Sequence, residues 1–224
     1  MAAPTWVAST GSQSSTSITS DSNYSAASTQ LDDIIIQQAT FSGTSADGTP
    51  PGDWTVASNI AHSSTQRKIT IWKRAAANEA TPVWSAISGS RFFQTSKYRG
   101  CVTTGTPYET LIADSKASST AVSVALGNTT YSDVLWAFMM VNFSGGTVAT
   151  WTDVNLASLT ERYDVASGSL TPKTVTGTLV TAGDGGTITA TLSSAGVQVW
   201  TAFSLLSTTS TSSTTRKSDF FQFF

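Results

Sequence analysis

Asp133-Val134-Leu135-Trp136-Ala137-Phe138-Met139-Met140-Val141-Asn142-Phe143 is the most apolar stretch of the chain. Its uninterrupted core, Val134 to Val141, is eight residues long. That falls far short of the roughly 18 a membrane-spanning helix needs, and its aromatic and branched content reads as a strand covered on both faces. Ile34-Ile35-Ile36, inside the segment 33–40, reads the same way. Away from these two runs the period is 2. In 68–74, Ile69 and Ile71 fall on one face and Thr70 and Trp72 on the other.

Further short β-branched and aromatic runs are expected as strands at 5–8, 14–20, 83–87, 100–103, 121–125, 158–163, 174–180, 187–192 and 197–206. Turn chemistry punctuates them at Asp47-Gly48, Pro50-Pro51-Gly52-Asp53, Ser144-Gly145-Gly146 and Gly183-Asp184-Gly185-Gly186. Helix signals are weak, with only three Glu and with Ser, Thr or Gly between nearly all apolar pairs. The pattern predicts an all-β chain, a two-sheet sandwich or jelly roll of roughly a dozen antiparallel strands with an extended C-terminal tail. Residues 1–206 form the sandwich, 207–218 a Ser/Thr-rich linker and 219–224 a Phe-rich tail, with 105–119 the one seam. A faint echo joins the two apolar runs. Asp33-Ile34-Ile35-Ile36 is followed by Trp54-Thr55, and Asp133-Val134-Leu135-Trp136 by Trp151-Thr152. It has no strict period and fits pseudo-equivalent halves of one sandwich.

Composition narrows the function. Of 224 residues, 35 are Ser and 38 are Thr, only 12% are charged, and the net charge is −2. With no basic block, nucleic-acid binding by charge is not expected. A single Cys, Cys101, excludes an intramolecular disulfide. The start, Met1-Ala2-Ala3-Pro4-Thr5-Trp6, lacks the positive and apolar segments of a signal peptide, so synthesis in a cytosol without membrane insertion is expected.

Reactive groups are sparse. His62 is the only imidazole, no Gly-x-Ser-x-Gly elbow exists, and Cys101 reads as a small buried thiol. Asp32-Asp33 and the 183–186 loop lack the further ligands of a metal site, and no phosphate-cradling glycine loop is present. Glu79, Glu109 and Glu161 are the only glutamates a two-carboxylate glycosidase could use. The expectation is no enzyme, no cofactor and no metal. Among the tryptophans, Trp136 and Trp200 read as core and Trp54 as a loop anchor. Trp72 and Trp84 are the candidates for stacking on a host-surface glycan. Phe220, Phe221, Phe223 and Phe224 form the expected partner-docking element. Burying four rings is worth roughly 6–12 kcal/mol before ordering costs, and the spacer before them reaches up to roughly 40 Å.

Several motifs taken together resemble a known family. They are Pro4-Thr5-Trp6-Val7-Ala8-Ser9-Thr10-Gly11, Asp33-Ile34-Ile35-Ile36, Thr49-Pro50-Pro51-Gly52-Asp53-Trp54-Thr55, Ile69-Thr70-Ile71-Trp72-Lys73-Arg74-Ala75, Tyr98-Arg99-Gly100 and Leu159-Thr160-Glu161-Arg162. The series is similar to β-sandwich virion structural proteins of tailed bacteriophages, of the minor-tail and decoration-like kind, over residues 4–206. It departs from them where Leu31-Asp32-Asp33 replaces a Gly-Asp strand start and Gly52-Asp53 replaces Ala-Gly before Trp54. The resemblance implies a virion component without catalytic residues, made in the host cytoplasm. Its implied partners are capsid or tail subunits, further copies of itself, and in one alternative a host polysaccharide.

Overall fold

The computed structural model describes residues 2–14, 18–43, 48–85, 87, 89–165 and 168–208. Its strands are β1 (Thr5–Ser14), β2 (Ile34–Ser42), β3 (Thr55–Ser63), β4 (Gln66–Arg74), β5 (Ser90–Arg99), β6 (Tyr108–Ala125), β7 (Asn128–Thr129), β8 (Val134–Asn142), β9 (Val148–Thr152), β10 (Ala157–Asp164), β11 (Thr171–Leu179), β12 (Gly183–Asp184) and β13 (Thr187–Leu205). One sheet runs β1-β5-β2-β4-β3 and the other β10-β11-β8-β13-β6, with β9 added against β13. All pairings within these sheets are antiparallel. The chain is an all-β sandwich, and each sheet is drawn from one contiguous half rather than from strands that shuttle between layers.

Both halves follow the same plan. Numbered within its own half, the first sheet runs first, fifth, second, fourth, third. Read from β6 and counting only the five strands of its path, with β7, β9 and β12 left out, the second sheet runs first (β6), fifth (β13), second (β8), fourth (β11), third (β10). The echo read from the sequence is this duplication, displaced by one residue. Ile34 and Ile36 point between the sheets, and so do Leu135 and Ala137, whereas Val134 and Trp136 point outward. A one-residue offset exchanges the faces of a strand. By face, Ile34 corresponds to Leu135. Two residues earlier in each half stands an Asp in the left-handed region, Asp32 (φ 66°) and Asp133 (φ 55°). A short polar side chain tolerates that conformation, which turns each chain into its central strand.

Each sheet is covered on both sides. Outside the first, Ile35, Ala39, Phe41, Ile69, Ile71 and Phe93 pack under irregular loops pinned by Trp54 and Trp84. Outside the second, the cover is built from its own strands. Residues 187–192 of β13 pair with 121–125 of β6 and with β9, laying a flap over Trp136, Phe138 and Met140. The register of β13 breaks on either side of Gly196. A Cβ there would collide with Asn142 Oδ1 and Ser144 Oγ, so the bend needs a bare backbone. Edges close on one another. Arg162 of β10 stacks 4.7 Å from the Trp6 ring of β1, and Tyr163 lies edge-on to Phe92 at 6.4 Å.

Three strand expectations and the expected seam differ. The described residues of 83–87 form no strand; Ser85 makes only an isolated bridge to Thr49, because Trp84 turns inward to plug the outer core. Residues 100–103 follow β5 rather than forming a strand, with Cys101 bridged singly to Ser207. The expected 14–20 strand ends at Ser14 in β1; residues 18–20 carry no strand, and 15–17 lie outside the described residues. The expected seam at 105–119 is mostly the first part of β6. Strands β3 and β5 escaped the sequence reading because their apolar residues, Val56, Ala57, Ile60 and Ala61 in one and Phe92, Phe93 and Tyr98 in the other, do not alternate with polar ones along the run.

Candidate functional site

The aromatic candidates separate cleanly. Trp84 is 1% exposed, lies 5.7 Å from Phe41 and 5.8 Å from Phe93, and donates its indole N–H to Gln37 Oε1 at 2.6 Å. A ring enclosed on both faces stacks on no ligand, which removes Trp84 as a glycan contact. Trp72 is half-buried, edge-on to Tyr108 at 6.2 Å, and packs against the cluster between the sheets. Trp54, Trp136 and Trp200 are buried. Trp151 caps the second sheet's outer core, edge-on to Phe138 at 5.7 Å, as Trp54 caps the first. Phe220, Phe221, Phe223 and Phe224 lie outside the described residues.

The three glutamates are each held by a local partner. Glu79 accepts from Lys73 Nζ and from the Ala76 N–H at 3.1 Å, over the outer face of the first sheet. Glu109 on β6 accepts the Thr130 N–H at 2.9 Å on both oxygens. Glu161 on β10 accepts the Trp151 indole N–H at 2.8 Å. Because β6 and β10 are opposite edges of one five-strand path, these last two stand about 19 Å apart along the sheet, twice the span across which a glycosidase pair works.

The other reactive groups are likewise structural. Asp33 is buried and takes a two-point contact from Arg99, 2.8 Å at each oxygen, plus the Gln30 N–H at 2.9 Å. In the 183–186 loop, Gly183 and Asp184 form β12 against β7, and Asp184 Oδ1 accepts the Gly186 N–H. Burial pushes the Cys101 thiol up to about 12, so it carries little thiolate at neutral pH. His62 Nδ1 lies 3.3 Å from Ser115 Oγ, joining the adjacent edges β3 and β6. Among the described residues no carboxylate orients the ring, which leaves a strand-to-strand contact rather than a triad. No group of three His, Cys, Asp or Glu among the described residues is placed to hold a metal. Two open troughs mark the surface. One of about 460 Å³ crosses the flap and is lined mainly by Ala and Thr of β6, β9 and β13. The other, about 430 Å³, carries Val154 and Val180, which are 93% and 56% exposed.

What the sequence reading missed lies inside the sandwich. Between the sheets, two apolar clusters, one around Ile34, Leu135 and Phe203 and one around Phe92, Val141 and Val199, are separated by a polar layer. Ser58, Lys68, Thr70 and Thr201 meet on one side of it, and Gln38, Gln94, Ser96 and Thr174 on the other, all buried. Thr174 donates to Gln94 Oε1 across the sheets at 3.0 Å, and Ser58 meets Thr201 at 2.8 Å. The one signal was in 68–74. Lys68 shares the face of Thr70 and Trp72, a face the alternation rule assigns to water.

Compared with known protein families, curated proteins and solved structures, the chain matches none.

Proposed function

We propose that this chain is a non-enzymatic structural protein of a bacteriophage particle, an exterior module seated on capsid or tail subunits through apolar contacts that include residues 219–224. The observation that supports the reading is the use the fold makes of its reactive groups. Each glutamate and the buried Asp33 is held by partners of the fold itself, and the one thiol is buried. The large aromatics hold loops and flap to the sheets, and the exposed positions are rich in Ser and Thr, in a chain of net charge −2. Such a block suits a place on a lattice, joined by contacts that depend little on salt. The motifs in 4–206 that resemble tailed-phage sandwich proteins supply the setting.

The test is composition and assembly. Particles purified from a lysate are expected to contain this chain at a fixed ratio to their other proteins, read by mass spectrometry. Finding it only in the soluble fraction overturns the proposal. A chain lacking 216–224 is expected to fold and stay soluble but to be missing from particles; normal incorporation overturns the docking role of the Phe cluster alone. Glycan-array binding that disappears with Trp72→Ala would replace the structural reading with polysaccharide attachment.

A further inference from the structure

Lys68 is 0% exposed, in the first part of β4, with its side chain between the sheets. Its amine donates to the Met139 carbonyl of β8 at 3.0 Å and to Thr201 Oγ1 of β13 at 2.9 Å. Thr201 Oγ1 also meets Ser58 of β3 and Thr70 of β4, at 2.8 and 3.1 Å. One amine therefore ties both sheets together. Among the described residues its surroundings hold no counter-charge. Strands β2, β8 and β13 contain no titratable residue at all. On β3 the one such group, His62, turns to Ser115. On β4 itself Arg67 and Lys73 fall on the outer face, and Arg74 at the strand end donates to the Val102 and Gly105 carbonyls. On β5, Tyr98 faces the same interior at the Cys101 end, while Arg91, Lys97 and Arg99 bond to groups outside the sheet. On β6, Glu109, Asp114 and Lys116 bond to their own neighbourhood, and Tyr108 packs on Trp72 and Phe203. On β11, Lys173 points outward and pairs with Asp164 of β10.

We propose that Lys68 is a proton-operated latch, uncharged while the two sheets are closed and taking up a proton as they part, so that the sandwich loosens as the pH falls. The layer is also underbonded: Thr40 Oγ1, on the residue paired with Lys68 across strands, and Gln38 Oε1 are buried without partners. Burial without a carboxylate holds the Lys68 amine well below the ordinary lysine range. The opened chain then binds the proton first. Stability is gained as pH rises from the depressed value toward the ordinary one near 10.4, and is lost as pH falls back through that window. Lys68 alone changes the unfolding equilibrium constant by up to about tenfold per pH unit there.

Denaturant unfolding from pH 6 to 10 tests the latch, comparing the natural chain with Lys68→Met. The natural chain is expected to gain up to about tenfold per unit of rising pH relative to the variant. Parallel curves overturn the proposal. Should Lys68→Met not fold, the Lys68 Cε resonance of the unaltered protein decides: a titration midpoint far below that of the other lysines supports the latch, and one near 10 overturns it. A midpoint that moves with chloride at constant ionic strength assigns a bound anion to the layer and also overturns it.

Discussion

Among the described residues two lysines, Lys68 and Lys173, are fully sealed from solvent, one in each half of the molecule, and the fold treats them in opposite ways. Lys173, on the outer face of the second sheet, sits opposite Asp164 in strand register and forms an ion pair with it. Lys68, on the inner face of the first sheet, has a carbonyl and a hydroxyl but no acid. The difference follows from what surrounds each. Lys173 has an acid beside it in strand register, whereas the layer between the sheets brings Lys68 only hydroxyls, amides and a carbonyl, a web that can hold a neutral amine.

The contrast can be broken most sharply at Asp164. Asp164→Asn strands Lys173 and weakens the acceptor of the Val148 N–H that starts β9. The expected cost is about 3–5 kcal/mol by urea unfolding, the usual result of removing one member of a buried pair. Next comes Thr201→Val, which keeps the shape but takes a hydroxyl partner from Lys68, Ser58 and Thr70. About 1–3 kcal/mol is expected, with a pH dependence that differs from that of the natural chain. The smallest effect belongs to a third lysine. Lys73 meets Asp53 at 2.7 Å, but Asp53 is largely in water. Asp53→Asn is expected to change stability by less than about 0.5 kcal/mol, and by less still in high salt. If Asp53→Asn cost as much as Asp164→Asn, burial would not be what separates these lysines.

The same layer marks the limit of what the sequence makes legible. Strands β2 and β8 can be read because Ile34-Ile35-Ile36 and Val134 to Val141 are apolar on both faces. Strand β5 cannot, since Gln94, Thr95, Ser96 and Lys97 look like a solvated loop until Gln38, Gln37 and Thr174 arrive from residues 56 to 80 positions away. Trp84 misleads for a similar reason. Beside Pro82 and Val83 it looks like a surface aromatic, and only the Gln37 acceptor, 47 residues earlier, shows why the indole can be buried. The long β6 was hidden by its Ser- and Thr-rich edge character, and the duplicated strand order by its one-residue displacement.

The contiguity of each half has a consequence for synthesis. The first sheet and its outer cover are complete in sequence by about residue 100, while the second sheet still awaits about a hundred residues. At ribosomal speeds that interval is on the order of 5–20 s. During it the nascent half must present its inward surface to water. With Gln38, Thr40, Lys68, Thr70, Gln94 and Ser96 in its middle, that waiting surface is one that water can wet, and so it is a poor seed for sticking to other unfinished chains.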